Sequence, residues 1–278
     1  MTSTRRPKSL ENGKSLKLLL FFCVGIVIII GVSLFVKIAN IASLSLFDGK
    51  HRLTIVIDTA PAYILSFSPE DRSILVASIT SKRQIEAKKI GQKLKIPVDA
   101  TVSYRFKQGE NIDAQLFLML TRYASLKTEL TVFDIIRLWW FAKSAPKHAV
   151  IRTDIIVPGV EENHINEPQY LTEKTSRLFT DAALAEEKLS VEVVNATGES
   201  GFGARLAKFV SHMGGNVILV TTADTIASTS GIAYYGEKSY TLSRFEKILS
   251  VSSSQLHIPG IADIVITLGR DSVGKDIF

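Results

Sequence analysis

An α+β protein carried on one membrane helix is the expectation for this 278-residue chain: an N-terminal transmembrane helix, an exported α/β domain and a C-terminal βαββαβ domain. Three observations predict it. Residues 18–36 form an unbroken apolar run, LLLFFCVGIVIIIGVSLFV. Residues 52–189 alternate β-branched runs with runs of helical spacing. Residues 191–278 repeat a strand–helix–strand rhythm twice, separated by glycine-rich turns.

The apolar run has 19 residues between Lys17 and Lys37 and contains no charge and no proline. A helix crossing a bilayer needs about 20 mostly apolar residues, and the flanking lysines can reach the interfaces along their methylene stems. Inside lipid the backbone must satisfy its own hydrogen bonds, which makes the segment a helix. No face of it is polar, as a core helix of a soluble domain would require. A cleaved signal peptide is the rival reading. Its apolar region would span about 7–15 residues and end at a small-x-small site; this run is longer, and KIANIASLS behind it spaces its small residues poorly.

Residues 1–17 hold Arg5, Arg6, Lys8, Lys14 and Lys17 against Glu11, a net +4. The whole chain carries +6, which leaves +2 beyond residue 17. A short basic stub of this kind stays in the cytoplasm, so residues 38–278 are expected outside. Their near-neutral charge lacks the basic stripe of a nucleic-acid binder, and no nucleic acid is expected as a partner. Cys23 is the only cysteine and lies in the apolar run, so the exported part has no disulfide and no thiolate metal site.

Residues 38–50 read as a stalk closing on the turn signal Asp48-Gly49. Residues 52–58, 62–67 and 73–79 read as strands, the last two joined through Pro69 as a hairpin. Residues 81–94 are basic and polar. Arg83, Lys88, Lys89, Lys93 and Lys95 could face a phosphate, but a solvated helical face is the simpler reading. A strand over 100–106 follows, then helices over 111–126 and 131–143. Thr131 and Asp134 have capping-box spacing. The second helix is apolar all round and reads as a core helix, with Trp139 and Trp140 at a membrane interface as the alternative. A strand over 148–157, a polar connection over 158–170 and a helix over 171–189 complete this part.

The C-terminal unit reads as strand 191–195, turn 196–203, helix 204–213, strands 216–222 and 231–236, helix 241–249 and strand 262–268. Right-handed crossovers put both helices on one face of a four-stranded sheet and leave the other face open for binding. The glycines Gly198, Gly201 and Gly203 are spaced G-x-x-G-x-G, which is neither the dinucleotide nor the P-loop pattern. His51, His148, His164, His212 and His257 show no metal-ligand spacing. No cofactor is expected.

Three segments of this unit, VEVVNATGESGFGARLAKFV, GGNV and ADIVITLGRD, resemble the C-terminal domain of LytR–CpsA–Psr envelope proteins. Ala196 stands where that domain usually has glycine. LFTDAALAEE at 178–187 resembles the end of the preceding domain in that family, and YILSFSPEDRSILVASI at 63–79 its early hairpin. The resemblance implies an exported catalytic domain that transfers lipid-pyrophosphate-linked glycopolymers to the cell wall, with arginines and acids around a pyrophosphate and a magnesium ion. The family's hairpin leads into Ser-Ile-Pro-Arg-Asp; here Ser78-Ile79 is followed by Thr80-Ser81-Lys82-Arg83. The family's Arg-Thr-Asp is missing before the hairpin and recurs only out of place, as Arg152-Thr153-Asp154. Since bidentate arginines are what pyrophosphate binding requires, the expectation is a degenerate, non-catalytic domain over 51–189 followed by the C-terminal domain over 190–278. Its partners would be membrane lipid through residues 18–37 and a cell-wall polymer or envelope protein. The candidate ligand turn is Asn195, Thr197, Gly198 and Gly201. If transferase activity survives, its candidate groups are Arg83, Arg105, Arg122, Arg137, Arg152, Asp58 and Asp154.

Overall fold

The computed structural model describes residues 12–81, 85–107, 109–157, 169–258 and 260–274. The chain divides into two compact units, Met1–Ser45 and Leu46–Phe278. In the first, helix α1 spans Asn12–Ser43, 32 residues. Its Leu19–Ser43 stretch is long and apolar enough to cross a membrane. The helix thus runs six residues past Lys37 into the expected stalk. Within the second unit Phe47 is already only 2% exposed, so little of residues 38–50 is free spacer.

The second unit begins with a six-stranded sheet. Its strands are β1 (Leu53–Ile57), β2 (Ala62–Ser68), β3 (Ser73–Ser81), β4 (Ala100–Ser103), β5 (Lys127–Thr128) and β6 (Val150–Val157), in the order β5-β4-β1-β2-β3-β6. The predicted hairpin is present, in register from Ala62↔Ile79 to Ser68↔Ser73. Strand β1 runs antiparallel to β2 and parallel to β4, and β3 runs parallel to β6. All five residues of β1 are buried, because helices cover both faces. Continuous apolar runs are the mark of strands covered in this way. On one side, α3 (Ile112–Thr121) and α4 (Val132–Ser144) pack Leu116, Met119, Ile135 and Leu138 on Leu53, Ile55, Leu65 and Phe67. On the other, α2 (Ala87–Leu94) and α5 (Gln169–Phe179) pack Ile90, Leu94 and Phe179 on Val56, Ile64 and Leu75.

Helix α4 starts at the predicted capping box, with the Asp134 backbone N–H donating to Thr131 Oγ1 and the Thr131 backbone N–H donating to the Asp134 carboxylate. It is a core helix on one side only: Leu138 is fully buried, while Trp140 is 66% exposed. The helix expected over 111–126 ends at Thr121 and is followed by a 3-10 turn, Tyr123–Ser125. The helix expected over 171–189 is two helices, α5 and α6 (Ala182–Glu187). It breaks at Thr180-Asp181 because the Asp181 N–H leaves the helix to donate to the Met213 carbonyl, 2.8 Å.

The C-terminal sheet comprises β7 (Ser190–Asn195), β8 (Asn216–Thr222), β9 (Gly231–Tyr234), β10 (Ser253–Gln255) and β11 (Ile264–Leu268), in the order β10-β9-β11-β7-β8. It has five strands, not the four expected. The added β10, Ser-Ser-Gln, pairs with β9 at an edge. Helices α7 (Phe202–His212) and α8 (Tyr240–Leu249) lie on one face. Leu206, Phe209, Leu242 and Phe245 close over Val191, Val193, Ile264 and Ile266. The opposite face carries Glu192, Val194, Leu219, Thr221, Val265 and Thr267, all half-exposed.

Candidate functional site

The predicted turn between β7 and α7 is wired to itself. Asn195 and Thr197 are buried. Asn195 Nδ2 donates to the Glu199 carbonyl at 2.8 Å, and Asn195 Oδ1 accepts from Thr197 Oγ1 at 2.7 Å and Thr197 N–H at 3.2 Å. Thr197 Oγ1 in turn accepts from Glu199 N–H at 3.0 Å. Gly198 and Gly201 sit at φ +84° and +82°, a region that side chains other than glycine's disfavour. The geometry assigns these four residues to building the turn.

The other candidates are dispersed. Arg105, Arg122, Arg137 and Arg152 are all exposed, each on a different segment. Arg137 Nη1 donates to the Phe47 carbonyl at 2.8 Å and Arg152 Nη2 to the Glu110 carbonyl at 3.1 Å. Asp154 lies on β6 and accepts from the Ser78 hydroxyl. Asp58 lies just beyond β1, and β6 is three strands away, so roughly 14 Å separates the two acids at normal strand spacing. Ligands at 2.0–2.6 Å from one cation cannot be that far apart. Among the described residues no three His, Cys, Asp or Glu converge on a metal position, and Asp58 and Asp154 are too far apart to hold one magnesium ion together. Arg83 lies outside the described residues, as does the side chain of Lys88. Lys89 and Lys93 are on the exposed side of α2, where Lys89 pairs with Glu86 at 3.2 Å.

Strands β1, β3, β4 and β6 all run in one direction, and two clefts open beyond their carboxyl ends, the usual place for a ligand in such sheets. One, about 270 Å³, is lined by Thr59, Pro61, Ile79, Thr80, Ser81 and Ile85. The other, about 770 Å³, holds Asp58, Glu86 and Glu129 against Lys127. Three acids and one cation among its described residues form a poor seat for a pyrophosphate.

The strongest electrostatics in the unit lie between the two sheets, where sequence reasoning assigned nothing. Arg244, in the middle of α8, is fully buried. Its Nη1 donates to Asp99 Oδ1 at 3.2 Å, and its Nε lies 3.6 Å from Asp181 Oδ2. Asp99 Oδ2 also accepts from the Thr54 N–H at 2.7 Å. The Tyr240 hydroxyl donates to Asp181 at 2.8 Å. Arg52, also buried, donates Nε to Ser66 Oγ at 2.8 Å, Nη2 to the Leu178 carbonyl at 2.7 Å and Nη1 to the Thr180 carbonyl. Burial would lower the Arg244 pKa, but Asp99 and Asp181 outweigh it and hold the guanidinium charged. Burial lowers that of Arg52. Arg244 therefore bridges α8 to the start of β4, Arg52 ties β2 to the end of α5, and both guanidinium groups are closed off from solvent, with Arg244 Nη2 making no hydrogen bond among the described residues.

Burial, reinforced by the Asp181 carboxylate, also pushes the Tyr240 phenol well above its usual range. A folded pKa raised above the unfolded value stabilises the fold only while the unfolded phenol keeps its proton. That contribution is present below about pH 10 and is lost as pH rises further. Urea midpoints measured across the alkaline range should fall more steeply for the native chain than for Tyr240→Phe.

No known family's model, no characterised protein and no solved structure matches the chain.

Proposed function

We propose that this is a membrane-anchored, extracytoplasmic cell-envelope protein whose second unit serves cell-wall assembly as a non-catalytic binding or scaffold module. The N-terminus lies in the cytoplasm in this reading, and the anchor is the apolar run at 18–37. The observation that carries the reading is the disposition of the arginines. Arg52 and Arg244 are buried inside the unit, and Arg105, Arg122, Arg137 and Arg152 are exposed on separate segments. A pyrophosphate needs several such groups converging. The half-exposed face of the C-terminal sheet offers a cell-wall polymer or an envelope protein a broad, weakly charged surface.

The second reading is a divergent phosphotransferase acting on lipid-pyrophosphate-linked glycopolymers. It is favoured by the clefts at the carboxyl ends of the parallel strands, with Asp58 in one and Ser81, two residues before Arg83, in the other. A transfer assay on a lipid-pyrophosphate-linked glycopolymer separates the two. The expected result is no turnover above background, unchanged when Arg83, Arg105, Arg122 and Arg152 become alanine. Turnover that this set abolishes would establish the second reading.

A further inference from the structure

One aromatic face of the second unit has no cover within it. Phe117 on α3 is 47% exposed, and Ile136 and Trp140 on α4 are 38% and 66% exposed. The Phe117 and Trp139 rings are 5.9 Å apart and those of Trp139 and Trp140 6.3 Å, so the rings are contiguous. Lys143 Nζ stands 5.2 Å from the Trp139 ring centre. A rim of exposed cations, Lys143, Lys147 and Arg152, follows directly in sequence. Tryptophan beside lysine is the composition of a surface that rests at a bilayer interface, with the ring at headgroup level and the amine among the headgroups.

Charge and connectivity point to the same occupant. Residues 111–152, which carry the aromatic face, hold six lysines and arginines against three acids, a net +3, whereas residues 153–278 hold 10 against 16, a net −6. The aromatic face belongs to the part of the unit that lies nearer in sequence to the apolar helix. Only Leu44, Ser45 and Leu46 separate Ser43, the last residue of that helix, from Phe47. Phe47 is fastened to α4: its N–H donates to Asp134 at 2.7 Å, its carbonyl accepts from Arg137, and its ring meets Phe141 at 5.9 Å. The tether to α4 is therefore four Cα–Cα steps, about 14 Å at full extension.

We infer that the α3–α4 face docks on the outer leaflet of the bilayer that α1 enters, with Trp140, Phe117 and Ile136 at the acyl boundary and Lys143 and Lys147 on anionic headgroups. The inference rests on the anchoring reading above. Attraction of a basic surface to anionic lipid grows with each cation near the surface and is screened by salt.

Trp139 and Trp140 are the only tryptophans, so selectively excited tryptophan emission reports on this face alone. The test uses the full chain in phosphatidylglycerol nanodiscs whose acyl chains are brominated near the glycerol end. Expected are a blue-shifted maximum and loss of most of the emission to the bromines. The loss should persist in Trp139→Phe, where Trp140 is the sole reporter. It should weaken in phosphatidylcholine, at high salt and in Lys143→Glu/Lys147→Glu. Emission at the position of solvated tryptophan, unquenched, from a chain that resists alkaline carbonate extraction would overturn the docking and leave the anchor standing. Extraction by carbonate would overturn the anchor reading, and this inference with it. Blue-shifted but unquenched emission from a chain that sediments as a dimer would assign the face to a second copy and overturn the inference.

Discussion

Arg244→Met is expected to destabilise the unit beginning at Leu46 by about 3–5 kcal/mol, the range for breaking a buried ion pair from one side. The cost is not the lost attraction alone. Methionine fills much of the volume but leaves Asp99 and Asp181 buried without their shared cation. Asp99 cannot turn to solvent, because its other oxygen holds the Thr54 N–H at the start of β1. Asp181 is equally fixed, accepting from Tyr240 while its own N–H is bound to Met213. Replacing all three charges together, as Arg244→Met with Asp99→Asn and Asp181→Asn, should recover much of the loss, since no uncompensated charge remains. Urea unfolding of the two variants beside the native chain measures both effects. A single variant as stable as the native chain would show that the junction between the sheets does not depend on this network.

Gly269→Ala is expected to cost about 3 kcal/mol, at the upper end for forcing extra atoms into a packed site. The reason is steric, not conformational. Gly269 has φ −99°, which alanine tolerates, but a methyl group there would lie 2.4 Å from the Thr229 carbonyl carbon and 2.6 Å from its oxygen. The two strands of backbone are stitched on either side of the contact. Gly269 N–H donates to Ser230 Oγ, Arg270 N–H to the Ala227 carbonyl and Ser230 N–H to Asp271 at 2.7 Å. Making room means breaking several of these bonds. Gly201→Ala is the control: its φ of +82° is strained but nothing lies within 4 Å of the added methyl, so about 1–2 kcal/mol is expected. Thermal unfolding that ranks Gly201→Ala as the more damaging change would contradict this account of Gly269.

Much of the scaffold was legible because it is built from local signals. The strands of both sheets are β-branched runs bounded by turns, and the α4 cap is a four-residue pattern that needs no tertiary context. What was missed lacks such signals. Strand β5 is Lys127-Thr128 and β10 is Ser253–Gln255, polar edges that exist only because a neighbouring strand offers them partners. The break between α5 and α6 is imposed by Met213, distant in sequence. The buried network joins residues 145 positions apart. Arg244 sits among Leu242 and Phe245 on the packed side of α8, where its helical position is visible in sequence but its carboxylate partners are not. The glycine-rich turn shows the opposite difficulty. Its pattern was plain, but a turn that wires its own polar groups and one that presents them to a ligand use the same residues.

The most direct measurement on the central claim is calorimetry of the chain with a polyprenyl-pyrophosphate analogue, with and without magnesium. The account predicts no magnesium-dependent heat of binding from folded protein. Magnesium-dependent binding that disappears when Arg105, Arg122, Arg137 and Arg152 are replaced by alanine would contradict it.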